Sequence, residues 1–477
     1  MGRHGWHTGA RRWRFAALIG VGMAALALVL TMCAGWPPGG DGKNDDAGTS
    51  ADGARVHGTP PAAPRQPVPE LGWGFTHTQY SADSGNEAAR ARAGKLLSDA
   101  RLPQIQHLMG WGSNNPEPSP GRYQFGEMDS RIDLIRRSGG TPVVTLCCAP
   151  DWMKGGRAGA GHTDWSKEAL ETAPSREHYA DFAKLAGVVA RRYPDVKHFI
   201  VWNEFKGFFD DGAKRWNHEG YTELYNLVHA ELKKAGKDIL VGGPYLVMDS
   251  HEPRAQENAS AVKGPWGSID QRSLDAFTYW NKHKTGADFV VVDGSSYTRD
   301  DELLPDPFLA TEKFTAVSKW VRRQTGGGLP LWWAEYYVEP GDDRDARDGW
   351  SEPRRAAVHA TGMIALVRGG TGTAFYWNPQ NKGARCAGCL WTSTELDGGG
   401  VQLPMMKLIA RFAREFPPGT RYDDRVAVAP GDAARVRVLA SERTVLVVNT
   451  LDRALRTEVD GQDLDLNAYE VRWLTRR

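Results

Sequence analysis

Eight times between residues 71 and 377 a short apolar run gives way to a longer amphipathic stretch. The runs are Leu71 to Thr76, Ile105 to Trp111, Pro142 to Leu146, His198 to Trp202, Ile239 to Gly243, Phe289 to Val292, Leu331 to Ala334 and Thr373 to Trp377. Between them, Asp129 to Arg137, His178 to Arg192, Tyr221 to Ala235, Leu274 to Lys284, Thr311 to Gln324 and Arg354 to Val367 repeat apolar residues at three and four positions. That is helical spacing. Glycine follows the last turn at Ser138-Gly139-Gly140 and Ala235-Gly236, as a helix stop requires. Strands joined through helices run parallel. Eight such units predict an α/β fold, a closed (β/α)8 TIM barrel, over an open doubly wound sheet, since no G-x-G-x-x-G follows an early strand.

From about Arg425 the apolar period becomes two. Arg435 to Leu439, Thr444 to Val448 and Glu470 to Trp473 alternate, with a turn at Asp460-Gly461, and predict a small antiparallel β-domain packed against the barrel. The N-terminus differs again. Arg3, Arg11, Arg12 and Arg14 precede an uncharged run from Phe15 to Met32, close to the length that spans a bilayer. The expected organisation is a signal or anchor over 1–33, a disordered tether rich in Gly, Pro, Asp and Ala over 34–70, the barrel over 71–420 and the β-domain over 421–477. Positive charge before the apolar run places the bulk of the chain outside the membrane, tethered or secreted. Membrane contact is expected only through this segment. Leu30-Thr31-Met32-Cys33 resembles a lipoprotein processing site, so acylation of Cys33, cleavage and retention as an anchor all stay open.

With 59 basic and 58 acidic side chains the formal charge is +1, which leaves no global field to attract nucleic acid or acidic lipid. A neutral partner such as a carbohydrate fits best. Cys386 and Cys389 form C-x-x-C in a Gly-rich loop, read as a local disulfide; Cys147 and Cys148, far away in a strand-like run, are poorly placed to complete a zinc site with them. No cofactor or metal is expected. Asp342-Asp343-Arg344-Asp345 is a calcium-like run better read as a solvated loop.

In a barrel of this kind, residues at the C-terminal strand ends face the active site. Two ends carry glutamate: Trp202-Asn203-Glu204 after the fourth strand and Trp333-Ala334-Glu335 at the seventh. Hydrolysis of a glycosidic bond with retention needs two carboxyl groups about 5 to 5.5 Å apart, which these positions can supply across one barrel mouth.

Trp202-Asn203-Glu204 resembles the acid/base signature of clan A glycoside hydrolases, and Trp333-Ala334-Glu335 their strand-seven nucleophile. Pro150-Asp151-Trp152-Met153 and Trp377-Asn378 also resemble this clan. The likeness is above all to glycoside hydrolase family 39, the β-xylosidase and α-L-iduronidase group, from about Leu71 to Arg477. The resemblance implies a retaining hydrolase with Glu204 as acid/base and Glu335 as nucleophile. It further implies Asn203 on the substrate 2-hydroxyl and Tyr297 orienting Glu335. Glu204 is then expected to have a raised pKa and Glu335 to stay ionised. Two positions depart from the clan: Phe205 stands where proline is common after the acid/base, and Ser295 and Ser296 stand where a histidine often accompanies the strand-six tyrosine.

Of the 18 tryptophans, Trp152 and Trp377 are the candidate sugar platforms, with His77 a candidate contact; most Trp in any domain is core. The long stretches Gly155 to Ala173 and Asp249 to Gln271 are expected to shape the mouth. A β-xyloside or related β-linked glycan is the favoured substrate. Endo-cleavage of an exopolysaccharide and a non-catalytic surface carbohydrate-binding protein are the alternatives, and the oligomeric state is left open.

Overall fold

The computed structural model describes residues 69–339, 349–383 and 386–476, all within one compact unit spanning 67–477. The segment read as a signal or anchor, nearly all of the tether and the Asp342 to Asp345 run lie outside the described residues. Among the described residues no helix is long and apolar enough to cross a membrane.

Eight parallel strands close into a barrel: β1 (Gly72–Thr76), β2 (Gln104–His107), β3 (Pro142–Leu146), β4 (His198–Val201), β5 (Leu240–Val247), β6 (Phe289–Ser295), β7 (Leu331–Tyr337) and β8 (Thr373–Trp377). Strand β1 seals the ring against β8, Gly72 opposite Thr373. Each strand is followed by a helix: α1 (Glu87–Ala100), α2 (Gly126–Arg137), α3 (Tyr179–Arg192), α4 (His218–Ala235), α5 (Gln271–His283), α6 (Glu312–Gln324), α7 (Glu352–Arg368) and α8 (Pro404–Glu415). Several begin at a polar cap. Asn86, Asn217, Asp270 and Ser351 each accept a hydrogen bond from a first-turn backbone N–H, satisfying donors the helix itself cannot. Helix α1 had little sequence signal because its buried face is Ala89, Ala93 and Leu97, too small to stand out among its charges.

Side chains alternate across each strand. Ile105, Val143, Ile200, Phe289, Val291, Trp332 and Phe375 fill the barrel interior, while Phe75, Val144, Phe199 and Trp333 face the helices. The Phe289 and Trp332 rings stack with centroids 3.8 Å apart. Gly242 makes room for them, since a Cβ there would lie 2.1 Å from the Phe289 ring.

The C-terminal segment holds five strands. Strands β9 (Val436–Ala440), β10 (Thr444–Asn449) and β13 (Val471–Thr475) form one antiparallel sheet, and β11 (Leu455–Val459) and β12 (Gln462–Leu466) a hairpin. Asp460 and Gly461, both at positive φ, make the hairpin turn. Val436, Val445, Val447, Val459 and Leu464 form its own core. Trp473 joins it to the barrel, packing against Phe412 and Phe416 with Arg411 over its ring.

Trp332 is fully buried at the centre of the interior. Trp332→Ala is expected to cost about 3–5 kcal/mol through lost burial and the cavity left behind, measured by denaturant unfolding; a loss under about 1 kcal/mol would mean that the interior collapses around the gap.

Candidate active site

At the end of β4 the chain leaves regular geometry. Trp202, Glu204 and Phe205 all have positive φ (67°, 51° and 55°), a region that non-glycine residues rarely enter. The bend turns the Trp202 ring outward, against Phe182 and Phe208, with its indole N–H donating to the Lys206 carbonyl at 2.8 Å. Phe205 is buried and stacks on Tyr221 at 4.0 Å. Its φ is one that a proline ring forbids, so the sequence departure at this position is also a backbone departure. Glu204 and Lys206 are left at the mouth.

Two bulges complete the arrangement. Opposite β6, Val291 pairs with Pro244 but Val292 with Leu246, so Tyr245 is the extra residue in β5, and it points into the interior. In β7, Val292 pairs with Trp333 and Asp293 with Glu335, leaving Ala334 extra. A one-residue bulge re-aims the side chain that follows it. Trp332 and Ala334 already face inward, so without the bulge Glu335 would face the helices.

The result brings Glu204, Asp293 and Glu335 together, with a carboxyl oxygen of each within 4.8 Å of the others. Asp293 and Glu335 are 2% and 1% exposed, whereas 18% of the Glu204 side chain is open, so Glu204 is the member nearest solvent. Tyr245 donates its hydroxyl to Glu335 Oε1 at 2.5 Å, and Tyr337 donates to Oε2. Lys206 Nζ lies 2.9 Å from Glu204 Oε2, 3.4 Å from Glu171 Oε1 and 5.3 Å over the Trp111 ring. The three carboxyl groups are close enough to surround a cation, and the cation that they have is this ammonium.

Burial raises the pKa of Glu204, but the charge and hydrogen bond of Lys206 outweigh it, and Glu204 sits below the ordinary carboxylate value. Burial, then the Glu204 charge, pushes Glu335 up to about 8 against the two tyrosine hydrogen bonds. Burial, then Glu204 and Glu335, holds Asp293 well above its usual range. The order expected from sequence, Glu204 raised and Glu335 ionised, is therefore reversed in the free protein. Lys206, which sequence reading passed over, is the reason that Glu204 is lowered; burial and the Glu204 charge raise Glu335.

Other predicted residues divide. Asn203 is buried beside Glu204, and its Oδ1 has no hydrogen-bond partner among the described residues. Trp377 ends β8 with its ring edge-on to His107 at 6.3 Å; His107 also lies 4.6 Å from Trp111 and, through burial and then the Lys206 charge, is held neutral down to about pH 3. Trp152 is committed elsewhere. Its indole N–H donates to the Glu117 carbonyl at 2.8 Å and its ring meets His178 edge-on, so the structure does not bring it to the carboxyl groups. The hydroxyl donors to Glu335 are Tyr245 and Tyr337, not Tyr297, whose carbonyl accepts from Ser295 and Lys313.

His77 is a further correction. It follows Phe75 on the helix-facing side of β1, fully buried, with Nδ1 2.7 Å from Ser81 Oγ and Nε2 2.9 Å from Gln104 Oε1. Both ring nitrogens are used structurally. The Gly155 to Ala173 loop does reach the site, through Glu171 and its bond to Lys206. Cys386 and Cys389 are joined as a disulfide, and Cys147 and Cys148, just after β3, are bonded to each other across a cis peptide. Sequence reading missed Asp293, Lys206, Tyr245, Tyr337 and the place of Trp111. Only Asp293 and Tyr337 carried a usable signal, being polar residues near the ends of strands six and seven.

In comparisons with known proteins no family model matches the chain. A β-xylosidase from Caldicellulosiruptor saccharolyticus is 24% identical over 263 residues, which is 54% of this chain and 48% of that protein. The match thus spans about half the length of that relative. Among solved structures, a family 39 glycoside hydrolase from the gut symbiont Bacteroides cellulosilyticus WH2 superposes with a TM-score of 0.53 at 15% identity, covering 86% of this chain and 82% of that one. The chain resembles family 39 glycoside hydrolases. SrfJ from Salmonella typhimurium shares the fold with a TM-score of 0.56 at 15% identity, over 86% and 90% of the two chains.

His77 supplies a check on its reassignment. Burial, then Arg131, keeps it neutral to about pH 3 in the folded protein, while the unfolded chain protonates near pH 6.5. Between those values the unfolded state binds the extra proton, so this contribution to stability is complete above about pH 6.5 and declines as pH falls toward 3. His77→Gln is expected to flatten that decline in a plot of Tm against pH while leaving KM for a cleaved glycoside unchanged. A tenfold rise in KM would return His77 to the substrate.

Proposed function

We propose that this protein is a retaining glycoside hydrolase acting on a neutral β-linked glycan, with a β-xyloside favoured. The observation that carries the reading is the approach of Glu204 and Glu335, from the ends of β4 and β7, to an oxygen separation within 4.8 Å. An inverting pair stands roughly 6.5–9.5 Å apart to admit a water molecule, and a retaining pair about 5–5.5 Å. The spacing supports direct attack by one carboxylate.

In this reading Glu335 is the nucleophile. The Tyr245 and Tyr337 hydroxyls fix both of its oxygens and donate to the ionised form, as attack requires. Glu204, the more open member, is the acid that protonates the departing oxygen and then the base that activates water. Asn203, with its unpartnered Oδ1, accepts from the sugar 2-hydroxyl, an interaction worth most as positive charge develops at the ring. Trp377 and Trp111 flank the site through His107 and offer flat apolar faces to a pyranose ring. The xyloside preference rests on the partial likeness to the Caldicellulosiruptor β-xylosidase. The basic and apolar N-terminal run supports export, with the enzyme secreted or held at the outer membrane face by that segment.

The test is release of sugar by the full chain from a panel of aryl glycosides and β-linked polysaccharides. Glu335→Gln should abolish release, and the first-formed anomer, read by NMR, should keep the configuration of the substrate. An inverted product would refute double displacement. A folded parent that binds glycans and cleaves none would overturn the enzyme reading altogether.

A further inference from the structure

A double displacement uses two carboxyl groups, and this site buries three. Asp293 reaches the cluster from β6, with a carboxyl oxygen within 4.8 Å of those of Glu204 and Glu335, and its Oδ1 has no hydrogen-bond partner among the described residues. Two carboxyl groups hold a hydrogen bond between them only when one is protonated, because ionised carboxylates only accept. The surroundings decide which one. Lys206 touches Glu204 at 2.9 Å and stabilises charge there. Asp293 has no ion pair among the described residues, and it is the deeper of the two.

We propose that Asp293 and Glu204 share one proton, with Asp293 holding it in the free site and passing it to Glu204 as the leaving group departs. This rests on the reading of Glu204 as acid/base; Asp293 acts through Glu204 and is a positioning residue for the proton. With Glu335 ionised, its own proton lost to solvent before attack, the first half-reaction breaks the Asp293 O–H bond as a Glu204 O–H bond forms. That proton then moves to the glycosidic oxygen as its bond to C1 breaks and a bond from Glu335 to C1 forms. In the second half a water oxygen bonds C1, Glu335 is released, and the water proton goes to Glu204 and back to Asp293. The cycle closes with no co-reactant besides water.

The groups facing this pair are Lys206 beside Glu204, Glu171 behind Lys206, His107 from β2, Tyr245 from β5, and Glu335 and Tyr337 from β7. Of these, His107 is neutral above about pH 3, and burial, then Glu335, keeps both phenols protonated. The titrations that matter near neutrality are those of the carboxyl groups. Without Asp293 the shared proton has only Glu204 to sit on, beside the Lys206 ammonium, and is lost at lower pH.

The experiment compares the full chain with Asp293→Asn on two aryl glycosides of the sugar that the parent cleaves, one with a phenyl and one with a 2,4-dinitrophenyl leaving group. The second leaves without a proton. The expected result is a fall of about 10²–10⁴-fold in kcat/KM for the phenyl glycoside, the usual worth of general-acid help. The dinitrophenyl glycoside should lose less than fivefold, and the alkaline limb of the phenyl profile should move to lower pH by a unit or more. Equal losses on both substrates in a variant that keeps the parent's melting transition, or no loss on either, overturn the inference and leave the hydrolase reading standing. A parent that cleaves no glycoside overturns both. Lys206→Met decides the matter should Asp293→Asn fail to fold: removing the ammonium should move the alkaline limb up by a unit or more, and an unmoved limb overturns the inference.

Discussion

Three carboxyl groups with oxygens within 4.8 Å of one another cannot all be charged where protein replaces water. Like charges at that distance repel strongly, and each pays for desolvation separately. The site answers with one ammonium and retained protons. Lys206 lies against Glu204 and Glu171, and although burial alone would lower its pKa, the carboxylates raise it, so the cation persists. Charge is thereby concentrated on Glu204, and the protons on Asp293 and Glu335.

Most irregularities in the barrel wall serve this cluster. Positive φ at Trp202, Glu204 and Phe205 costs about 1–3 kcal/mol per residue, and the bulges at Tyr245 and Ala334 interrupt ladders that would otherwise continue. Such strain persists because the rest of the barrel determines the local path. Phe205 is clamped on Tyr221, the Trp202 ring is wedged among Phe182 and Phe208, and the regular lower halves of the strands are fixed by the Phe289 and Trp332 stack. The fold thus divides along its axis. Packing stability resides below, and the mouth carries the strained geometry on which the proposed chemistry depends.

This division explains what could be read from sequence. All eight strands were legible because a doubly covered parallel strand is a short apolar run, and Glu204 and Glu335 stood out as candidates because polar residues at strand ends break those runs. Their surroundings were not. Period-two reasoning carries a strand only up to its first bulge, and Tyr245 and Glu335 both owe their direction to one. The same parity, applied where β1 is regular, would have turned His77 away from the mouth, since Phe75 two positions earlier faces the helices. Lys206 looked like an ordinary loop lysine, and its contact with Glu204 depends on a backbone turn that no residue type in the motif specifies. Tyr297 was chosen for its place after strand six, but that strand runs on to Ser295, and the tyrosines that reach Glu335 belong to β5 and β7.

The proton inventory also bears on the kind of sugar that the proposed hydrolase would accept. Lys206 is the basic group acting on all three carboxyl groups, and Glu171 already shares it. A uronic acid would bring another carboxylate into a place where two of three must already be neutralised by protons, and it would compete with Glu204 for the one ammonium. A neutral pyranose adds no charge. Its hydroxyl groups can donate to Asn203 Oδ1 while the Glu204 to Lys206 pair stays in place. The local electrostatics therefore favour the same class of partner as the near-zero net charge of the whole chain, and for a different physical reason: the crowding of acidic groups around a single cation.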